Sequence, residues 1–412
     1  MKFPIITGVV IHGKKLGRTL GFPTANISLK AGLIQDGVYS FKIQIGNNEY
    51  LGIGTFREII ELLEVHIFDY NGDLYEQSIT VTPIKKIRNN QKFESIDMLQ
   101  KQIQSDINQV KTLSKFPSLD TIVLETLSLF KNQKELPKLD LSNFKTPLVV
   151  GSGNGYYTGR ILFRNLGAFF ATESEIEQKL KNIDSITDVV VISASGEKHA
   201  PIILNTAKEY QKNTCLISSN PKSSGREIAD SSIIMPKISE PYTYNTSTYF
   251  GYILAENPNI DLQKLEDFIL ETLTAELEKI DFSQYNGFCI VIPDQFVLIR
   301  EMFEVKFIEL FGRKLGRDVF SYEQMKHATT VVKDEKELFI CFGNESGIVY
   351  GENQINLPIF DIEHYSSMML VGYYTIGKIQ LAFPPYFMQS IEQYCIDAKT
   401  QSGFNISPMV TV

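Results

Sequence analysis

Two kinds of fold in one chain are what this sequence predicts: a small barrel or sandwich of short strands, then two tandem α/β units built on parallel sheets. Three observations carry the prediction. The first part of the chain alternates short β-rich runs with glycine turns. From residue 147 onward, apolar runs alternate with helical segments. Between them lies a polar stretch, KNQKELPKLDLSNFKTP, bounded by Pro137 and Pro147, which predicts a linker at 131–146.

The strands of the first part read ITGVVIH, GVYSFKIQIG, YLGIGTF, LEVHIFDYNGDLY and SITVTPIKKIR. Asn71-Gly72 between two such runs predicts a hairpin. Phe93, Ile96, Leu99, Ile103, Ile107 and Val110 recur at three- and four-residue steps, the stripe of an amphipathic helix with Ser95 as its N-cap. A second helical pattern, LDTIVLETLSLF, follows Pro117. In the second part, PLVVGSGNG, DVVVISASGE, NTCLISSNP and SSIIMP read as strands with helices between them. A long helix, LQKLEDFILETLTAELEKI, then leads to a second such unit containing GFCIVIP, a helix near 295–313, DVFSYEQMKHA and ELFICFG.

The 412 residues carry 40 basic and 48 acidic side chains, a net charge of −8. That length predicts two to four domains. An acidic balance argues against broad binding to nucleic acid, although a local basic loop can still hold a phosphorylated ligand. No apolar run approaches the roughly 20 residues needed to cross a bilayer. The opening apolar stretch runs into His12, Lys14 and Lys15 without a cleavage site, so neither a signal peptide nor a membrane partner is expected. Four scattered cysteines and five scattered histidines show no metal or redox spacing, and a reduced, cytoplasmic chain is expected.

The N-terminal loop is dense in glycine and base, from Gly8 to Ile27. Glycines let backbone approach a phosphate, and Lys14 and Arg18 add charge. Thr24 and Asn26 offer two oxygens two residues apart, on one side of a strand, and such hard ligands suit Mg²⁺. A turn-rich surface loop is the plainer reading of the same glycines. This stretch resembles the riboflavin kinase family, whose hallmark is GxVxHGxxxGRxLGFPTANI. The rest follows in the family's order: Gly37-Val38-Tyr39, Glu64 to Asp69, Asp73-Leu74-Tyr75, Arg88, Lys92-Phe93, Ser95, Gln102-Ile103 and Asp106, a match over 5–112.

The resemblance implies a six-stranded β-barrel with a closing helix over 1–115, which phosphorylates riboflavin to FMN with Mg²⁺ and ATP. It implies that Gly13, Lys14, Gly17, Arg18, Gly21, Pro23, Thr24 and Asn26 hold the nucleotide, Thr24 and Asn26 the metal. Glu64 would take the proton of the ribityl hydroxyl as it attacks the γ-phosphate. The sequence departs from the family in two places. Gly54-Thr55-Phe56-Arg57 runs on with a shorter connection and no proline, and Glu76 stands where a glycine usually follows Leu-Tyr. The adenylyltransferase domain usual before the kinase is not in this sequence, so FAD synthesis is not expected.

In the second part, Ser152 to Gly155 and Ser193 to Lys198 each follow an apolar strand and open a helix. Backbone amides at such a place face an anion, and the serines add donors. Either loop alone could be a tight turn. This part resembles the sugar isomerase (SIS) domain family, closely over 147–256 and more weakly beyond. The resemblance implies that Ser152, Asn154, Ser193, Ser195, Gly196 and Lys198 bind a sugar phosphate. Glu323 to His327 is similar to the family's ExxKH, and Lys306 to Glu309 to its KxxE. His327 would then open the sugar ring, and Glu309 would move a proton between C1 and C2. Lys198 or His199 stands where threonine is usual, and Gly155 where serine is common. Glu240 to Thr248 is rich in hydroxyls, either lining the same pocket or starting a capped helix.

The expected layout is thus a kinase barrel at 1–115, helix and linker at 116–146, and SIS subdomains at 147–256 and 257–412. The expected function is riboflavin phosphorylation joined to phosphosugar binding, with aldose–ketose isomerisation in the second half. The alternative makes that half a non-catalytic sugar-phosphate sensor or a dimerisation module, and by resemblance a homodimer is expected.

Overall fold

A computed structural model describes residues 4–13, 16–327, 331–344, 347–403 and 405–411. The chain divides into two compact units, Met1–Phe116 and Pro117–Val412.

Six strands build the first unit: β1 (Ile6–Ile11), β2 (Ala25–Ser28), β3 (Gly37–Ile45), β4 (Asn48–Arg57), β5 (Leu62–Ile67) and β6 (Ser78–Arg88). They close as an antiparallel barrel in the order β1-β2-β5-β4-β3-β6. Period-two alternation turns Ile27, Phe41, Ile43, Phe56, Leu63, Val65 and Val81 into the interior, all fully buried. A short helix, α1 (Leu16–Thr19), lies in the β1–β2 connection. Helix α2 (Ile96–Lys115) starts at Ser95, whose Oγ accepts from the Met98 amide at 3.2 Å, as expected of its N-cap. Its Ile103, Ile107 and Val110 cover Val38, Ile53 and Phe68 on the outer wall. Arg88 fastens the helix to β6 through Asp106, Nη2 to Oδ2 at 2.8 Å. The buried stripe is shorter than the spacing suggested, since Ile96 is exposed.

One turn differs from expectation. Asn71-Gly72 joins no hairpin, because β5 pairs with β2 and β4 and not with β6. Closing the barrel requires 68–77 to cross between non-neighbouring strands. The tight hairpin is β3–β4, paired from Ile45–Asn48 outward, with Gly46 at φ 57°. Glu76 lies in the left-handed region at φ 64°, which explains why glycine is usual there.

The second unit begins with α3 (Leu119–Lys131), whose Leu119, Ile122, Val123 and Leu127 are wholly buried. The helical half of the stretch expected to be helix and linker is therefore part of this unit's interior, whereas 132–138 is largely exposed. Beyond α3, Leu139 is buried and its amide bonds Ala255 O at 2.9 Å, which ties the polar segment down. One apolar anchor among polar neighbours does not stand out in a composition reading.

Strands β7 (Pro147–Gly151), β8 (Phe169–Ala171), β9 (Asp188–Ile192), β10 (Asn213–Ser218) and β11 (Ser231–Ile234) form a parallel sheet ordered β11-β10-β9-β7-β8. Between them run α4 (Asn154–Leu162), α5 (Ile176–Asn182), α6 (His199–Glu209) and α7 (Ser224–Ile228). Strand β12 (Glu240–Pro241) and helix α8 (Thr246–Leu254) follow. The expected long helix runs unbroken from Leu262 to Leu277, as α9 (Leu262–Asp267), a π-helical turn over Phe268–Leu273, and α10 (Thr274–Leu277). The Thr274 hydroxyl donates to Ile269 O at 2.7 Å within the wide turn.

The second parallel sheet, β14-β13-β15-β16, contains β13 (Gly287–Ile292), β14 (Gly316–Ser321), β15 (Glu337–Phe342) and β16 (Gln354–Leu357), with α11 (Arg300–Phe311) and α12 (Tyr322–Met325). Then come α13 (Tyr365–Ala382), α14 (Tyr386–Ser402) and β17 (Met409–Val410), which pairs with β12. Helix α13 is apolar on almost every side and is buried accordingly. The β-barrel and the two parallel α/β sheets are the fold class the sequence predicts.

Candidate functional sites

The barrel's candidate site lies on its outer wall. Interior positions on β5 are Leu63, Val65 and Ile67, so Leu62, Glu64 and His66 face outward. Across the ladder, Glu64 pairs with Asn26 on one side and with Thr55 on the other. Directly paired residues share a face, so Thr55, Glu64 and Asn26 form one row over three strands. Arg57 Nη2 stands 3.9 Å from Glu64 Oε2. The His66 ring bonds Pro23 O at 2.8 Å through Nδ1 and so anchors the segment that leads into Thr24.

Asn26 is buried, and its Oδ1 has no hydrogen-bond partner. The glycine loop closes over it. A Cβ on Gly13 would fall 2.1 Å from Asn26 Nδ2, and one on Gly17 would fall 2.4 Å from Phe22 O and 3.1 Å from Thr24 Oγ1. Only glycine permits that approach. The orphaned Asn26 carbonyl oxygen and the Thr24 hydroxyl two residues before it are hard oxygen donors of the kind that fits Mg²⁺, which takes few protein ligands and completes its shell with phosphate and water oxygens. Gly21 is at φ 88°, and Arg18 and Pro23 are exposed at the rim. Lys14 lies outside the described residues. His66 faces outward by alternation along β5 from Glu64, and Thr55 and Arg57 do so by alternation along β4 around the buried Phe56.

In the second unit the chain runs from β7 to β8 on one side, then to β9 on the other, so the order reverses between β7 and β9. Gly151 pairs with Ile192, which sets the two serine loops side by side at the carboxyl ends of adjacent strands. A crevice at such a reversal is where open α/β sheets hold ligands. Ser152 and Ser195 are exposed there, Ser193 is half-buried, and Asn154 is buried with its Oδ1 unpartnered. Ser193 Oγ accepts from the Gly196 amide at 3.1 Å, and Ser195 Oγ from the Glu197 amide at 3.3 Å. Gly155 presses on β9, where a Cβ would meet Ile192 O at 2.9 Å, so the usual serine has no room.

Gly196 is at φ 63° and Lys198 at φ 51°, a strained backbone for lysine. The loop after β10, in a third strand–loop–helix repeat, interlocks with them. The Ser224 amide and hydroxyl bond Glu197, at 3.1 and 2.5 Å, and the Gly225 amide bonds Gly196 O at 3.0 Å. Ser223 Oγ, fully buried and unpartnered, sits where a Gly196 Cβ would come within 2.5 Å.

A second cluster surrounds Lys306, which is completely buried on α11. Its Nζ donates to Thr243 O at 2.8 Å, Tyr244 O at 2.9 Å and Glu309 Oε2 at 2.7 Å. Burial pushes the Glu309 carboxyl above the ordinary range, against the opposing pull of Lys306. Glu240 caps α8, accepting from the Thr246 and Ser247 amides and the Ser247 hydroxyl at 2.7, 3.2 and 2.7 Å. Burial raises its carboxyl too. The hydroxyl-rich segment is thus a capped helix start whose preceding carbonyls hold the lysine. His327 is exposed on the turn after α12, and among the described residues no hydrogen bond or ion pair joins it to Glu309. The i,i+3 spacing of Lys306 and Glu309 was visible in the sequence, but the burial of the lysine was not.

Residues 2–114 match the family model described as "Flavokinase: Riboflavin kinase". The N-terminal unit carries a riboflavin kinase domain. A bifunctional riboflavin kinase/FMN adenylyltransferase of Haemophilus influenzae is 43% identical over 114 residues, 26% of this chain and 37% of the relative. An RNA-binding riboflavin kinase of Bacillus subtilis is 36% identical over 113 residues, 26% of this chain and 49% of the relative. The chain therefore spans half or less of these relatives' lengths. Among solved structures, a glucosamine-6-phosphate deaminase of Thermotoga maritima has a TM-score of 0.48 at 16% identity, covering 66% of this chain and 94% of that one. A tagatose-6-phosphate ketose/aldose isomerase of Escherichia coli has a TM-score of 0.43 at 13% identity, covering 72% and 92%. The architecture of the second unit rests on its own strand order and register.

Proposed function

We propose that the first unit phosphorylates riboflavin to FMN with ATP, and that the second binds a sugar phosphate. The observation that carries the first reading is Glu64 facing Asn26 across β2–β5, inside the matched domain. Glu64 accepts the proton of the ribityl hydroxyl, a role that needs only a carboxylate within hydrogen-bond reach. Gly13 and Gly17 let backbone close on the phosphates, and Thr24 with Asn26 offers oxygens to Mg²⁺. The ion, when bound, neutralises charge on the transferred phosphoryl group. Arg57 sits beside Glu64, with Nη2 3.9 Å from the Glu64 Oε2. Conversion of riboflavin and Mg-ATP to FMN, read by chromatography with fluorescence, tests this reading.

For the second unit, the serine loops at the strand reversal support binding of a phosphate. The buried Lys306–Glu309 pair supports proton transfer between C1 and C2 of an open-chain sugar, with Glu309 as the base. A second reading, a phosphosugar sensor without catalysis, is favoured by the exposure of His327, which among the described residues makes no hydrogen bond or ion pair with Glu309. Deuterium uptake from solvent into a bound sugar phosphate separates the two. We propose a homodimer formed through the second unit, on resemblance alone, and sedimentation tests it.

A further inference from the structure

We propose that Tyr373 is a further catalytic residue of the second unit: its hydroxyl donates to the substrate oxygen on which negative charge gathers as Glu309 removes a proton. The inference rests on the isomerase reading and names the group that stabilises its intermediate. Tyr373 lies on α13, is completely buried, and its hydroxyl has no hydrogen-bond partner. A buried hydroxyl left unpaired is destabilising, so one that persists beside charged groups points to a partner supplied by the ligand.

Its place in the fold identifies that partner. The Lys306 ammonium lies 5.1 Å from the Tyr373 ring centroid. Glu309, Tyr249 and Glu240 all bear electrostatically on the phenol. Burial holds the phenol well above its ordinary pKa, so it stays neutral and remains a donor. Lysine has three N–H donors, and Lys306 directs them at Thr243 O, Tyr244 O and Glu309. The lysine can orient and polarise Glu309, but it has no donor left for a substrate oxygen. Tyr373 has one. The hydroxyls of Thr243 and Thr246, buried and also unpartnered, line the same cluster.

The step balances within the sugar. Glu309 takes the proton from C2, the C2–H electron pair becomes the C1=C2 bond, and the carbonyl pair settles on O1. O1 then accepts the Tyr373 hydrogen bond, which strengthens as charge develops. Return of the proton to C1, with the O2 proton passing to O1, gives the ketose without any external oxidant or reductant.

The test compares the full chain with Tyr373→Phe by deuterium uptake from solvent into glucose 6-phosphate, fructose 6-phosphate and ribose 5-phosphate. Binding of inorganic phosphate and the ligand-free Tm are followed in parallel. Losing one oxyanion donor is expected to slow uptake by about 10²–10³-fold. Phosphate affinity should not change, and Tm should hold or rise, because the hydroxyl removed is unpaired. Equal uptake by both proteins overturns the inference and leaves the isomerase reading intact. Joint loss of uptake, phosphate binding and Tm makes the hydroxyl structural and overturns it as well. Phosphate binding without uptake by the unaltered chain overturns the isomerase reading, and the role of Tyr373 with it.

Discussion

Asn26 and Glu64 face each other across the antiparallel pair β2–β5, on the outer wall of the barrel. One has a buried carbonyl oxygen with no protein partner, and the other a part-exposed carboxylate beside Arg57. The ladder fixes both backbones, so the metal-ligand candidate and the proposed base are held a strand spacing apart without help from a flexible loop.

Glu64→Gln keeps the shape of the row and removes the base. FMN formation should fall by about 10²–10⁴-fold, the usual contribution of a positioned general base. Riboflavin binding, followed by flavin fluorescence, should persist. Undiminished turnover would remove Glu64 from the mechanism.

Glu76 sits in the left-handed region at φ 64°. A non-glycine residue there costs about 1–2 kcal/mol, and glycine's extra freedom in the unfolded chain returns about 0.4–1 kcal/mol of that. Glu76→Gly should therefore stabilise the first unit by about 0.5–1 kcal/mol in urea unfolding. A loss of stability would show that the side chain makes compensating contacts.

Gly196→Ala puts a methyl group against Ser223 at a position with φ 63°. The loop must shift, and inorganic phosphate binding by calorimetry should weaken by at least about tenfold, since overpacking typically costs 1–3 kcal/mol. The double variant with Ser223→Gly relieves the contact and should recover part of the affinity.

Lys306→Met leaves Glu309 and two carbonyls without their cation. Breaking a buried pair this way costs about 3–5 kcal/mol, and the unfolding transition of the second unit should shift accordingly. Lys306→Met with Glu309→Gln should be less damaging than Lys306→Met alone, because no lone charge remains.

Burial raises the Glu309 carboxyl above its unfolded value. The folded state therefore holds that proton more tightly than the unfolded chain. The resulting stability is fully present below the unfolded value and is lost as pH rises through the folded one. Relative to Glu309→Gln, the unaltered chain should lose stability on raising pH above about 4.5, the ordinary value of a glutamate carboxyl. Denaturant midpoints across that range measure the difference, and a constant gap would exclude the burial effect.

The barrel's strands, the Ser95 cap and the two parallel sheets were legible because alternation, capping and apolar runs are local signals. Thr24, Asn26 and Glu64 are singled out by a dense motif, and the two serine loops by strand–loop–helix repeats; the roles given to them are proposals. Asn71-Gly72 misled for a physical reason. A turn-forming pair says the chain can reverse, but barrel closure decides which strands are neighbours. The same holds for the polar stretch after α3, which Leu139 pins down through a single buried side chain and one amide.

What only the tertiary structure decided is which groups lose their water. Nothing local in the sequence marks Lys306, Glu240 and Tyr373 as buried, although the first two lie in segments that stand out. Packing of α8, α11 and α13 buries them together. Desolvation and unpaired hydrogen-bonding capacity arise from residues more than sixty positions apart, and no local pattern encodes them. The sequence by itself determined the elements and the motif residues, because those depend on near neighbours along the chain. The charged cluster and its electrostatics depend on distance in space, which folding alone sets.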